Sequence, residues 1–288
     1  VSLPQKKYDV NEKIILTGSL TTKFYTFAEW VAISDVPGGV LSNISSTTNY
    51  KRFELASWPG ASLFQLSIKP NTLLAGAVYT FQLNAFYPNA TTLFQTKNPN
   101  DTQYNLDSWP INTQAFEADG GTLNTASIVV RMNSPPEAGT VSIFPSYGTA
   151  LNTKFLFKTS SWRDDPEDYP LKFGFGYFLL DDDETSGFVY SIKVVDSIPY
   201  ARATVGAGHQ SKFYLLNIVG SAVDIYGSVG KAYTTVVVQP ISQNQLSTAA
   251  ADSFDSAFDT KDPVGVSNVI TAVSNAMNKV SCSVPHDC

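Results

Sequence analysis

Apolar residues alternate with polar or small ones along most of this chain, at the period of two that half-buried strands show. Residues 13–20, Lys-Ile-Ile-Leu-Thr-Gly-Ser-Leu, have the β-branched content and length of a strand. Phe24 to Ile33, carrying Trp30, predicts a second, and Ser62 to Lys69 a third that Pro70-Asn71 turns. Val36 to Pro59 reads as loop, with Pro37-Gly38-Gly39 and a Ser/Thr/Asn cluster around Asn43. Ser127 to Met132 closes the first half as its last strand. Before it, Asn84 to Leu123 is long, polar and broken by Pro88, Pro99, Pro110 and Gly120-Gly121, a length that in compact domains usually marks a functional or decorated loop.

Within the first half, Leu73, Gly76, Tyr79, Phe81 and Leu83 stand in the pattern Leu-x-x-Gly-x-x-Tyr-x-Phe-x-Leu. A small residue ahead of a Tyr that opens an alternating strand is the tyrosine-corner arrangement of immunoglobulin-like sandwiches, and Trp30 is expected to pack beneath it. Pro135 and Pro136 donate nothing to a ladder, so a domain boundary is placed just before them. After it, Val141 and Ile143, Phe155 and Phe157, then Leu171, Phe173, Phe175 and Tyr177 restart the alternation. Phe188–Val195, Ala201–Val205, Lys212–Val219, Ala222–Val229 and Ala232–Val238 read as further strands at sandwich spacing. Beyond Pro240 the period changes to about 3.6. Leu246, Ala249, Ala250, Phe254, Ala257 and Phe258 form one helical stripe, and Val266, Val269, Ile270, Val273, Met277 and Val280 another. Asp262 is a good N-cap with Pro263 at the first helical position. The expected fold is mainly β: a first sandwich over 1–132, a second over 133–240 and a helical pair over 241–288.

Composition narrows the class. Of 288 residues 43% are hydrophobic and only 15% charged, against about 25% charged in typical domains. A hydroxyl- and amide-rich surface of this kind suits secreted β proteins. The net charge of −6 lacks the basic footprint that nucleic acid needs. No run of about 18 apolar residues is present, so no membrane insertion is expected within this segment. Starting at Val1 rather than Met fits a processed or excerpted chain. Sequons at Asn43, Asn89 and Asn100 predict a glycoprotein, extracellular or at the cell surface. Cys282 and Cys288 either close a small terminal disulfide loop or pair with cysteines outside this sequence.

Three stretches taken in order resemble the receptor for egg jelly (REJ) module: Asn133-Ser-Pro-Pro-Glu-Ala-Gly139, the Phe-Pro-x-x-Gly-x-Ala-Leu-x-Thr-x-Phe of residues 144–155, and Ser161-Trp162-x-Asp164 followed by Pro170-Leu171-x-Phe173-x-Phe175. The flanks, Ile68-x-Pro70-x-x-Leu73-x-x-Gly76-x-x-Tyr79-x-Phe81 and the Asp262 helix, are similar too. That module occurs in polycystin-1-like proteins, sea-urchin sperm receptors and large protist surface proteins. The resemblance implies an extracellular, non-catalytic tandem of immunoglobulin-like or PKD-like sandwiches used in adhesion, recognition or assembly. One departure stands out: members often carry paired cysteines inside the sandwich, whereas Lys158 and Thr159 occupy the region before Trp162. The closing Cys282-to-Cys288 segment is similar to the start of a cysteine-rich extension.

Candidate chemistry is sparse. Arg163-Asp-Asp-Pro-Glu-Asp168 and Asp181-Asp-Asp-Glu184 bracket one strand, which would hold them about 25 to 35 Å apart if straight. Each offers Ca²⁺ several carboxylate oxygens without EF-hand spacing, and a solvated acidic turn is the favoured reading, so no metal ligand or cofactor is assigned. His209 and His286 are the only histidines, and no metalloprotease, nucleophile-elbow or phosphate-loop motif appears. Two non-enzymatic readings remain. The first is a recognition module binding protein chains or glycans, with Tyr87, Phe94, Tyr104 and Trp109 as candidate contact aromatics. The alternative is a structural subunit of an extracellular glycoprotein filament or surface coat, binding copies of itself.

Overall fold

The computed structural model describes residues 6–21, 26–53, 61–87, 122–179, 189–259, 261 and 263–281. The chain divides into two compact units, residues 1–134 and 135–288. Each is built from two β-sheets around its own core.

In the first unit the strands are β1 (Lys7–Tyr8), β2 (Ile14–Thr21), β3 (Thr26–Ala32), β4 (Tyr50–Phe53), β5 (Ala61–Ile68), β6 (Val78–Tyr87) and β7 (Thr122–Met132). One sheet runs β1-β7-β6-β3-β4 and the other is the antiparallel pair β2-β5. Strict alternation explains why β2 is a strand with one wet face: Ile14, Leu16 and Leu20 are buried while Ile15 is more than half exposed. They meet Leu66 and Ile68 of β5, and Trp30, Phe81 and Leu83 of the larger sheet, in one cluster. The tyrosine corner forms: the Tyr79 hydroxyl accepts the Leu74 backbone N–H at 3.1 Å. Trp30 is buried in the same cluster, its Nε1 donating to the Phe64 carbonyl at 3.3 Å. The segment read as loop after Val36 carries a helical turn, α1 (Leu41–Ile44), and β4. Strands β6 and β7 run further than the pattern suggested, to Tyr87 and from Thr122, because each keeps its partner in a ten-pair ladder from Val78↔Arg131 to Tyr87↔Thr122.

The second unit contains β8 (Thr140–Phe144), β9 (Tyr147–Thr149), β10 (Phe155–Ser160), β11 (Lys172–Leu179), β12 (Tyr190–Asp196), β13 (Tyr200–Ala203), β14 (Leu215–Val223) and β15 (Val229–Gln239). Sheet β13-β10-β8 faces sheet β12-β11-β14-β15-β9. Phe155, Phe157, Phe175, Tyr177, Leu216, Ile218, Val236 and Val238 fill the space between them. Two expected strands are corrected. Lys212–Val219 begins late, at Leu215, because Phe213 and Tyr214 hold φ of 56° and 61°, which no strand admits. Ala222–Val229 is not one strand: Ala222 and Val223 end β14, Val229 opens β15, and the residues between them, 224–228, are the turn of a β14-β15 hairpin. Asp224 Oδ1 accepts the N–H groups of Tyr226, Gly227 and Ser228 at 2.8, 2.7 and 3.1 Å, a local cap that competes with the ladder.

Helices α2 (Gln243–Asp259) and α3 (Pro263–Ser281) complete the second unit. They pack on each other, and α3 lies along β12. Leu246, Val269 and Ala272 join Leu151 and Ile241 in a third cluster, with Ala249, Phe254 and Val273 against it. The expected stripes are only partly the buried ones, since Phe258, Ile270 and Met277 are each more than half exposed. Asp262 lies outside the described residues. The architecture is mainly β, two immunoglobulin-like sandwiches in tandem followed by a C-terminal helical pair.

Candidate functional site

The signature stretches of the second unit converge on one place. Glu137 and Arg163 exchange a pair of backbone hydrogen bonds, N–H to O, both 2.9 Å. This locks the double-proline segment against the segment that follows β10. Between them lies Trp162, and the ring reaches the backbone only because Gly139 and Gly230 carry no side chain. A β-carbon on Gly139 would overlap the indole, and one on Gly230 would overlap the Pro136 carbonyl. The indole Nε1 donates to Thr159 Oγ1 at 2.6 Å, and that hydroxyl donates to the Thr140 carbonyl at 2.9 Å. Thr159 is 1% exposed. A hydrogen-bonded relay from Trp162 through Thr159 to β8 thus ties the segment after β10 to the neighbouring edge strand of its sheet.

Directly after Trp162 the chain enters the acidic turn, and there the expectation of a solvated cluster is corrected. Asp165 and Glu167 are exposed, but Asp168 is wholly buried. The Asp168 carbonyl accepts the Ile225 N–H at 3.2 Å, so the turn is held against the β14-β15 hairpin. Asp224, at the start of that hairpin turn, is 5% exposed. One carboxylate oxygen from each of Asp164, Asp168 and Asp224 lies within 4.8 Å of the others. Asp164 Oδ1 accepts the Asp165 N–H at 2.9 Å, whereas its Oδ2 is buried without a hydrogen-bond partner. Loss of solvent pushes the Asp164 carboxyl above its usual range. The Asp165 N–H pulls it back in part, and the negative charges of Asp168, Asp224 and Asp165 push it further up.

Sequence reasoning missed Asp224, since its neighbours alternate like a strand and it stands far from the acidic run. Asp-x-x-Gly ahead of a second apolar run was the available signal for a capped turn. The remaining candidates do not gather. Asn43 is exposed on α1, its Nδ2 donating to the Gly38 carbonyl at 2.9 Å, and the Ser45 of its sequon is buried. Tyr87 packs against the first core. Asn89, Asn100, Phe94, Tyr104, Trp109, Asp181 to Glu184, Cys282, His286 and Cys288 lie outside the described residues. His209 caps the helical turn Gln210–Lys212 by accepting the Ser211 N–H, a structural duty. Among the described residues no helix is long and apolar enough to cross a membrane.

No curated protein matches the sequence. Among solved structures, a Ca²⁺-stabilized adhesin by which an Antarctic bacterium binds ice is 7% identical, covering 81% of this chain and 45% of its own, with a TM-score of 0.37. A 1.5-MDa bacterial ice-binding adhesin is 9% identical over 80% of this chain and 59% of its own, at 0.33. The four N-terminal Ig domains of Dscam1 are 9% identical over 82% and 43%, at 0.22. The chain spans about half the length of these proteins, and scores this low leave the fold to be read from its own strand order. The sequence model of the REJ domain is a different matter. It matches residues 113–272, more than half of the chain, and takes in every stretch that builds the Trp162 frame and the acidic turn beside it. This chain belongs to the REJ domain family.

Proposed function

We propose that this chain is an extracellular module of the cell surface that acts in adhesion or recognition by assembling with other protein chains, and that it is not an enzyme. One observation carries the reading. The signature residues Pro136, Gly139 and Trp162 make a frame by contacts with one another, with Thr159 and with Gly230, and the groups they bring there, a prolyl carbonyl, a bare backbone and an indole, include no nucleophile and no acid–base pair. Residues that brace the scaffold rather than react fit a protein whose exposed surface does the work. An exposed Asn43 sequon on a surface low in charge supports placement outside the cell. Binding of the purified, glycosylated chain to arrays of surface proteins and of glycans tests it. Saturable capture of a defined partner supports the reading, and turnover of a substrate overturns it.

A second reading, the structural subunit of a filament or coat, is favoured by β7. Among the described residues, that strand pairs with β6 along its length but with β1 only at Arg131 and Met132. Asn124 to Val129 are exposed on both faces, and an open ladder of this kind is a template for another strand. Light scattering and electron microscopy separate the two: ordered filaments from the pure chain favour the coat, a stable monomer the recognition module.

A further inference from the structure

We infer that Asp164, Asp168 and Asp224 hold a divalent cation of the Ca²⁺ class, which fastens the acidic turn to the β14-β15 hairpin. Two separate segments bring the three carboxylates together, with one oxygen of each within 4.8 Å of the others. Asp168 and Asp224 are both more than nine-tenths buried. Buried carboxylates this close repel one another unless a positive charge or protons intervene. A second, independent observation points to a ligand. Asp164 Oδ2 is out of reach of solvent and has no hydrogen-bond partner, although such atoms are nearly always satisfied in native proteins.

The donor set selects the ion. All three donors are hard carboxylate oxygens, which suit Ca²⁺, Mg²⁺ and Mn²⁺ rather than softer metals. Mg²⁺ demands near-ideal octahedral geometry and keeps its waters, whereas Ca²⁺ accepts an irregular set of six to eight oxygens at about 2.3–2.6 Å, as loop-borne carboxylates supply. Preorganisation is built in. The three N–H groups on Asp224 Oδ1 fix that carboxylate, and the Asp165 N–H on Asp164 Oδ1 fixes the other. The hydrogen bond from Ile225 N–H to the Asp168 carbonyl already joins the two segments. An ion there would harden a join that the backbone has begun.

The test uses the full chain, stripped with a chelator and then titrated with CaCl₂ or MgCl₂ by calorimetry and thermal melting. Saturating Ca²⁺ is expected to raise the melting midpoint of the second unit by about 5 to 10 °C at a concentration about 100-fold above Kd. Excess chelator should reverse the rise, and Mg²⁺ should act at least about tenfold more weakly. Asp164→Asn keeps the Oδ1 acceptor for Asp165 and is the cleanest variant. It should weaken Ca²⁺ binding at least about tenfold while its ion-free midpoint stays level or rises, as one buried charge is gone. Asp165→Asn alters an exposed carboxylate that is not among the three proposed ligands, and should leave binding unchanged. The proposal is overturned if the wild-type chain gives neither heat nor a midpoint shift with Ca²⁺. It is equally overturned if Asp165→Asn abolishes binding while Asp164→Asn does not.

Discussion

The indole Nε1 of Trp162 donates to Oγ1 of Thr159 at 2.6 Å, and the same hydroxyl hands its own proton to the Thr140 carbonyl. Thr159→Val keeps the shape of the side chain and removes both bonds. An indole N–H and a carbonyl are then left without this partner beside a site that is 1% exposed. Unsatisfied buried groups cost about 1–3 kcal/mol each, so urea unfolding of the second unit should show a loss of about 2–3 kcal/mol. Thr159→Ser retains the hydroxyl and should recover more than half of it.

Gly139 and Gly230 bound the same ring but from different materials. An alanine at Gly139 would press on the Trp162 side chain, which can swing away at a cost of about 1–2 kcal/mol, within the range for overpacking. At Gly230 the obstacle is the Pro136 carbonyl, part of the backbone locked by Glu137 and Arg163. Gly230→Ala should therefore cost more, about 3 kcal/mol, and should also broaden tryptophan fluorescence as Trp162 loses its single setting. Equal losses at the two positions would show that the segment is not held as described.

The phenol of Tyr79 closes the corner of the first sandwich by accepting the Leu74 N–H at 3.1 Å. Tyr79→Phe preserves the buried ring and removes only the acceptor, so its expected cost is about 1–2 kcal/mol. Amide hydrogen exchange gives the sharper check: the Leu74 N–H should lose protection while those of β6 keep theirs.

How much of this could be read beforehand differs by element. Strand β2 was legible because one of its faces is wet and the other dry, so Ile14, Leu16 and Leu20 declare the core by spacing alone. Tyr79 was legible because its duty is local, five residues from its partner. Asp224 was not, since the residues around it satisfy a strand pattern and only the three N–H groups gathered on its carboxylate reveal a turn. Its meeting with Asp164 and Asp168 is a product of sheet pairing, β11 against β14 and β14 against β15, which no local window contains. The seat of α3 was half legible. Hydrophobicity marked the helix, but the small side chain of Ala272 and the buried Asn268 define the contact, and Ile270 is turned outward.

Tyr177 makes the alkaline limit of the second unit predictable. It is fully buried among Phe157, Phe175 and Leu216, and its hydroxyl has no hydrogen-bond partner of normal geometry. Burial pushes its pKa from 10.0 up to about 12. The backbone of Gly206 offsets part of that rise and Tyr190, stacked at 5.0 Å, adds to it. The folded state holds this proton more tightly than the unfolded chain does. The resulting stability is complete below about pH 10 and is lost as pH rises towards 12, by about 2 kcal/mol over that window. Tyr177→Phe has no such proton and no hydrogen bond to lose. It should match or exceed the parent at pH 8, and the gap should widen in its favour above pH 10 in urea titrations.

The exposed and buried sides of α3 give the last discrimination. Val269 is 3% exposed and packs with Leu151, Ile241 and Leu246, whereas Ile270, one residue on, is 52% exposed. Had the stripe drawn from periodicity been the buried face, both would contribute alike. With the observed seat, Val269→Ala removes two buried methyl groups from the cluster with Leu151, Ile241 and Leu246, for about 1–3 kcal/mol. Ile270→Ala should fall within about 0.5 kcal/mol of the parent, the usual range for an exposed position. Chemical denaturation of the pair reads the difference directly. If Ile270→Ala proves the costlier of the two, a partner covers that face in solution, and the same variant should then lower the apparent mass seen by light scattering.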